Sequence, residues 1–457
     1  MNLSVYFKEF RYNIKLAYPI ILAMLGHTIV GVIDNIMVGK IGATELAAAS
    51  LANSFVFIAI SLGVGFSTAL TPLVAQSDAE KDVKTGRAIF MNGLFLCTFI
   101  GVFLFAIIFA AKPLLVYMGQ PEDVVLLAKP FLDIVALSII PLVIYQGYKQ
   151  FADGKSQTKN SMYATLISNI TNIFFNYVLI YGVWFFPTMG MLGAAYGTLI
   201  SRIVMLVYMH FALSRQAIFR PFLSKISLKE VTKEMSMKIT KLGVPSGMMS
   251  FFEVALFVGA VWLSGMIDTV AQAANQIALS MSSMTFMFAS GLGVAAMIRV
   301  GNQKGLKDYV KLKVVARSIL LMTIIIYIGF ALFFVLFHNY IPMLFLDNED
   351  LVNKAMNDEV IRVAGQLLLV AAIFQISDCI QVVTLGALRG LQDVNVPMII
   401  TFVSYWIIGF PVSIYLGLYT DFKAAGIWIG LLAGLTIAAI FLYLRFHKLS
   451  NRLISNN

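Results

Sequence analysis

Twelve long apolar runs separated by short polar stretches leave this chain little choice of fold. They lie near residues 16–38, 47–75, 88–111, 126–148, 163–184, 190–213, 242–265, 275–298, 317–337, 360–386, 396–418 and 425–444. Each reaches the roughly 20 residues that a helix needs to cross the hydrocarbon of a bilayer. Barrel strands are about half that length and alternate in polarity, which these runs do not. Charged residues make up 12% of the chain, against about 25% in soluble domains. The expectation is an all-α integral membrane protein with twelve transmembrane helices.

The net charge of +10 does not mark a nucleic-acid partner. With the N-terminus placed in the cytoplasm, the inner segments carry 26 Lys and Arg and the outer segments 6, with Arg202 inside a span. Such a bias orients the chain by the positive-inside rule, so both termini are expected in the cytoplasm. The first apolar run is span-length and lacks a small-residue cleavage site, so it reads as a retained helix rather than a signal peptide. Cys97 and Cys379 both fall within runs, and no disulfide framework is expected.

The chain repeats itself. Lys15-Leu16-Ala17-Tyr18-Pro19 returns as Lys241-Leu242-Gly243-Val244-Pro245, an offset of 226 that also pairs Gly39 with Gly265, Gly65 with Gly291 and Lys81-Asp82 with Lys307-Asp308. Later the offset becomes 236, pairing Gly154 with Gly390, Thr165 with Thr401 and Gly190 with Gly426. Two pseudo-symmetric six-helix bundles follow: an N-terminal lobe over 1–213, a cytoplasmic connector over 214–241 and a C-terminal lobe over 242–457. An even number of spans per half gives both the same orientation, with the natural cavity between them. Pro19 and Pro245, deep in matched helices, each remove a backbone hydrogen bond and are candidate hinges.

Three carboxylates stand inside the runs: Asp34, Glu253 and Asp378. A charge at the bilayer centre costs roughly 2.5–3.5 kcal/mol on insertion scales, so an acid retained there is a functional candidate. Apart from Arg362, at the outer end of its run and 16 residues before Asp378, no Lys or Arg stands in the runs around Glu253 and Asp378, so each acid is expected to need a proton, a metal ion or a polar neighbour. Asn172 and Asn176, four apart, share one helix face and can join Asp34 in a second polar site. Under the offset of 226, Asp34 pairs with Ala260 and Glu253 with His27, so the acids are not duplicated. His27 reads either as a proton relay or as a neutral, hydrogen-bonded side chain. Met281, Met284 and Met287 recur at one-turn spacing, a flexible surface suited to varied ligands or simple packing.

The set of motifs resembles the multidrug and toxic compound extrusion (MATE) transporters, in their bacterial NorM-like branch. It comprises Asp34-Asn35-Ile36-Met37-Val38-Gly39, Phe252-Glu253-Val254, Asn275-Gln276-Ile277-Ala278, Ile298-Arg299-Val300-Gly301 and the stretch from Asp378 to Gly386-Ala387-Leu388-Arg389-Gly390. The resemblance covers about residues 10–445. It implies a V-shaped two-lobe fold and cation-driven export of amphipathic, mostly cationic compounds. It also implies a sodium or proton coupling site at Glu253 and Asp378, a polar site at Asp34, Asn172 and Asn176, and a substrate cavity reaching Met281, Met284, Met287, Gln276 and Phe374. Two positions depart from the branch's pattern: Asn275 stands where His is frequent, and Phe374 where Tyr is frequent, one turn before Asp378. The coupling ion stays open between sodium and proton.

The expected partners are therefore small organic cations, the coupling ion and the lipid bilayer, in a monomer of the bacterial plasma membrane with no organic cofactor. A lipid-linked precursor flippase is the alternative transport reading, although it favours basic rather than acidic residues in the central cavity. A non-transport intramembrane protein is a third. Enzyme signatures are missing: there is no His-Glu-x-x-His, and the four His, at 27, 210, 338 and 447, are scattered. Gly39-Lys40-Ile41-Gly42 lacks the spacing and the Ser/Thr of a phosphate loop.

Overall fold

The computed structural model describes residues 4–118, 121–184, 186–223, 227–346 and 354–456. Every regular element among them is helical. Twelve helices are long and apolar enough to span a membrane: Ser4–Gly39, Thr44–Ala79, Val83–Tyr117, Glu122–Gly154, Thr158–Tyr181, Met191–Ser214, Lys233–Ile267, Thr269–Gly305, Tyr309–Phe337, Lys354–Gly390, Asn395–Leu418 and Lys423–Ser455. They are called the first to twelfth spans below. Most outrun the apolar stretches read from sequence, because polar first and last turns continue the helix beyond the hydrocarbon. The tenth, for example, runs on to Gly390 and so takes in Arg389.

Prolines account for the interruptions. The second span is broken between Ser67 and Leu70, the fourth at Ser138, and the eleventh passes through a π-helical segment, Val403–Gly409. Pro72, Pro141 and Pro411 follow these points, and each lacks the N–H that would bond the carbonyl four residues back. Pro19 and Pro245 lie within continuous helices.

The chain packs as two compact units, Tyr18–Met248 and Met1–Ala17 with Met249–Asn457. The expected lobes, 1–213 and 242–457, differ from these units in two respects. The connector belongs to the N-terminal unit by its own contacts. Phe219 and Phe222 are buried there, with ring centroids 6.0 and 5.2 Å from that of Phe151. Arg87 binds Glu230 through two hydrogen bonds of 2.7 and 2.8 Å. Asn92 Oδ1 accepts from Thr232 N and Ser236 Oγ. Conversely, the chain's first turns pack in the C-terminal unit. Arg299 donates to Asn13 and Glu9 and lies over the Tyr12 ring, while Ser318 donates to the Tyr6 carbonyl. The units therefore exchange the chain at Ala17/Tyr18 and Met248/Met249, beside the two candidate hinge prolines.

The repeat is visible in the backbone. Lys81 and Lys307 both take the left-handed conformation, at φ 58° and 59°. Each is followed by an aspartate that caps the next helix: Asp82 accepts from Thr85 N and Asp308 from Lys311 N, both at 2.9 Å. Ser156 and Gln392 form a second left-handed pair, at φ 59° and 63°. The Lys-Asp match in sequence is thus a matched helix-turn-helix corner.

Candidate cation sites

Glu253 and Asp378 come together inside the C-terminal unit. Their spans, the seventh and tenth, run antiparallel, and they touch through Phe257 and Phe374, whose ring centroids are 6.2 Å apart. Phe257 lies one turn after Glu253, and Phe374 one turn before Asp378. In antiparallel helices both acids therefore fall on the same side of that contact. Their charges act on each other. Asp378 is buried, and one oxygen of each carboxylate is buried with no hydrogen-bond partner among the described residues.

Neutral polar groups surround the pair. Gln375, one turn before Asp378, has both amide atoms buried and without partner. The Tyr405 hydroxyl, also buried and without partner, lies within electrostatic range of both acids. Tyr405 sits in the π-helical segment of the eleventh span, and such segments re-aim side chains and recur at functional sites. Tyr327 on the ninth span, near Asp378, braces the eighth: it donates to the Thr285 carbonyl at 2.5 Å and accepts from Ala289 N at 3.0 Å.

The expectation that neither acid has a basic residue in reach is corrected by Arg389. It shares the tenth helix with Asp378, and its charge acts on Glu253 and Tyr405. It is absent from the ion pairs among the described residues, and its Nε is buried without a partner. The site thus holds two carboxylates and one guanidinium. Its apolar end is closed by Trp428, whose ring meets Phe374 at 5.2 Å and whose Nε1 donates to Asn275 Oδ1 at 2.9 Å.

Of the residues expected along a substrate cavity, Phe374 is instead buried between Phe257 and Trp428. Met284 and Gln276 are exposed, and Met281 and Met287 half-buried. The four therefore do not share one environment.

The N-terminal unit builds a different site. Asn176 Nδ2 donates to Asp34 Oδ1 at 2.6 Å and to Asn172 Oδ1 at 3.3 Å, and Asn172 Nδ2 donates to Thr198 Oγ1 at 3.4 Å. The Asn176 carboxamide fits because residue 197 is glycine: a Cβ there would overlap Asn176 Oδ1. Asp34, Asn172 and Asn176 are thus joined in one chain of hydrogen bonds, and Thr198 extends it. His27, on the same helix as Asp34, is exposed.

The MatE family model matches residues 19–178 and 245–415. The chain belongs to the MATE family. Its two matched segments divide as the internal repeat does. MATE relatives include the multidrug resistance protein NorM of Photobacterium profundum, 34% identical over 446 residues, which are 96% of this chain and 95% of that one. Another is the multidrug resistance protein MdtK of Proteus mirabilis, 33% identical over 443 residues, 96% and 95% of the two chains. The fold is also that of solved MATE structures. The eukaryotic MATE transporter AtDTX14 superposes with a TM-score of 0.87 at 20% identity, covering 99% of both chains. An outward-facing multidrug resistance MATE transporter superposes at 0.85 and 20% identity, covering 97% of this chain and 96% of its own.

Proposed function

We propose that this MATE protein, a membrane transporter rather than an enzyme, is a cation-coupled antiporter that exports amphipathic organic cations across the bacterial plasma membrane, with both termini in the cytoplasm. The observation that carries this reading is the Glu253–Asp378 pair. Two mutually repelling carboxylates, faced by one guanidinium and by several buried oxygens without partner, need a further positive charge. A proton on either acid, a sodium ion held by their oxygens, or a cationic cargo can each supply it. Species that satisfy the same charge exclude one another, and this mutual exclusion is the linkage that exchange requires. Gln375 and Tyr405 are neutral oxygen donors for a hard cation. The names of the NorM and MdtK relatives support multidrug compounds as cargo, and the acidic site favours cations among them. The basic bias of the inner segments supports the orientation.

The test is flux in proteoliposomes containing the purified chain, loaded with a fluorescent organic cation. Sodium and proton gradients are imposed separately. One gradient is expected to drive efflux against the dye's own gradient, and Glu253→Gln and Asp378→Asn to stop it. Efflux that ignores both gradients would overturn the reading.

A further inference from the structure

Four ion pairs join charged side chains within the N-terminal unit. Arg87 binds Glu230, Lys112 binds Asp133, Lys149 binds Asp153 and Lys155 binds Asp78. Asp34 and Arg202, both within spans, stand outside the ion pairs among the described residues. Arg202 sits near the middle of the sixth span, one turn beyond Thr198, which ends the hydrogen-bond chain from Asp34. Its Nη1 donates to Ser138 Oγ at 2.6 Å, at the point where the fourth span is interrupted. It makes no ion pair among the described residues, and Asp34 is the carboxylate whose charge acts on it. The other ionisable groups in range of this region are His27 on the first span and Lys149, already paired with Asp153.

A guanidinium at that depth is retained only with compensation, because stripping its water costs more than one neutral hydrogen bond returns. Asp34 has the same requirement from the other side: its amide partner Asn176 supplies a dipole and no charge. We propose that Arg202 is the resident counter-cation of Asp34, so that the polar site of the N-terminal unit is electrically neutral without any transported ion. Asp34 then serves this half as a fixed structural charge, and Arg202 is a specificity residue that keeps a second monovalent cation out. The inference takes its meaning for transport from the function proposed above, but its test is a stability measurement that stands without it.

The experiment is a double-mutant cycle on the purified full-length chain, reading the melting midpoint of wild type, Asp34→Asn, Arg202→Gln and the double variant. Each is measured in sodium chloride and in choline chloride, at pH 6 and pH 8. Each single change leaves one buried charge without its partner and is expected to lower the midpoint by on the order of 5 °C. The double variant should lose clearly less than the sum of the two. Arg202→Gln should also gain a rise in midpoint with sodium or with acid larger than that of wild type, and adding Asp34→Asn should remove the gain. If Arg202→Gln gives no folded protein, recovery of folding in the double variant supports the pair, and failure of both overturns it. Additive single losses would overturn it, as would loss of the native chain's cation-dependent stabilisation on Asp34→Asn alone. A flux assay that went against antiport would leave this cycle intact, so the two failures can be told apart.

Discussion

The two halves share their corners and differ in their charges. At Lys81-Asp82 and Lys307-Asp308 the lysine φ angles agree to within a degree, and the caps have the same length. At the buried acids nothing matches. The C-terminal unit sets two carboxylates and one guanidinium among oxygens without partners. The N-terminal unit ties one carboxylate into a run of amides ending at Thr198, with Arg202 close by. A repeat therefore constrains the turns, where a wrong residue disturbs the packing of two helices. It leaves interior polar positions free to diverge, because each needs only a locally satisfied set of partners. Under the function proposed above, the half with unsatisfied charge is the one that binds and releases the ion.

The largest test of this contrast is neutralisation. Glu253→Gln or Asp378→Asn should reduce gradient-driven efflux to background while leaving the melting midpoint unchanged or raised, since a buried repulsion is relieved. Full efflux by either variant in proteoliposomes would move coupling out of the C-terminal unit.

Next is Arg389. Arg389→Gln removes the one positive charge that faces the pair among the described residues, so the site should hold its cation more tightly and release it more slowly. The expected result is about a tenfold lower half-saturating concentration of the coupling ion, worth about 1.4 kcal/mol, with a lower maximal rate. A weaker apparent affinity would show that Arg389 organises the acids and does not compete with the ion.

A packing change sharpens the comparison from another side. At Gly386 a Cβ would overlap the Gly293 carbonyl oxygen, so the eighth and tenth spans meet backbone to backbone just beyond Asp378. Gly386→Ala must push the spans apart and should cost about 1–3 kcal/mol, read as a lower melting midpoint. A neutral result would mean that these spans are free to separate.

The smallest effect tests the shared corners. Lys81→Gly and Lys307→Gly each relieve a left-handed residue and should stabilise by equal amounts, about 0.5–1 kcal/mol. Unequal gains would show that the two corners carry different strain despite nearly equal lysine φ angles.

Much of this was legible in the residues. The twelve spans follow from hydropathy alone, and the repeat from Pro, Gly and Lys-Asp pairs that few alternatives explain. Asp34, Glu253 and Asp378 stand out because charge is rare at that depth. Arg389 did not stand out because hydropathy ends the tenth run at residue 386, whereas the helix continues to Gly390. Tyr405 carried no local signal, because a tyrosine in an apolar run reads as packing; Arg202 was visible as a charge inside a span, but its role depends on which helices surround it. The burial of Phe374 is likewise set by Trp428, 54 positions away in the chain. Tertiary proximity of that kind has no period to read.

The contact of the first turns with Arg299 and Ser318 bears on how the protein is made. Glu9 and Asn13 are made before the N-terminal unit, yet their partner Arg299 follows 290 and 286 positions later. Throughout synthesis of the N-terminal unit, the opening segment has no finished surface to settle on. Its partners Arg299 and Ser318 are made only after the whole N-terminal unit has been synthesised. A fragment beginning at Met249 would therefore emerge with an empty seat at Arg299, and adding residues 4–17 as a separate peptide should improve its folding. Glu9 and Asn13 are thus made before the N-terminal unit and meet their partners only after it.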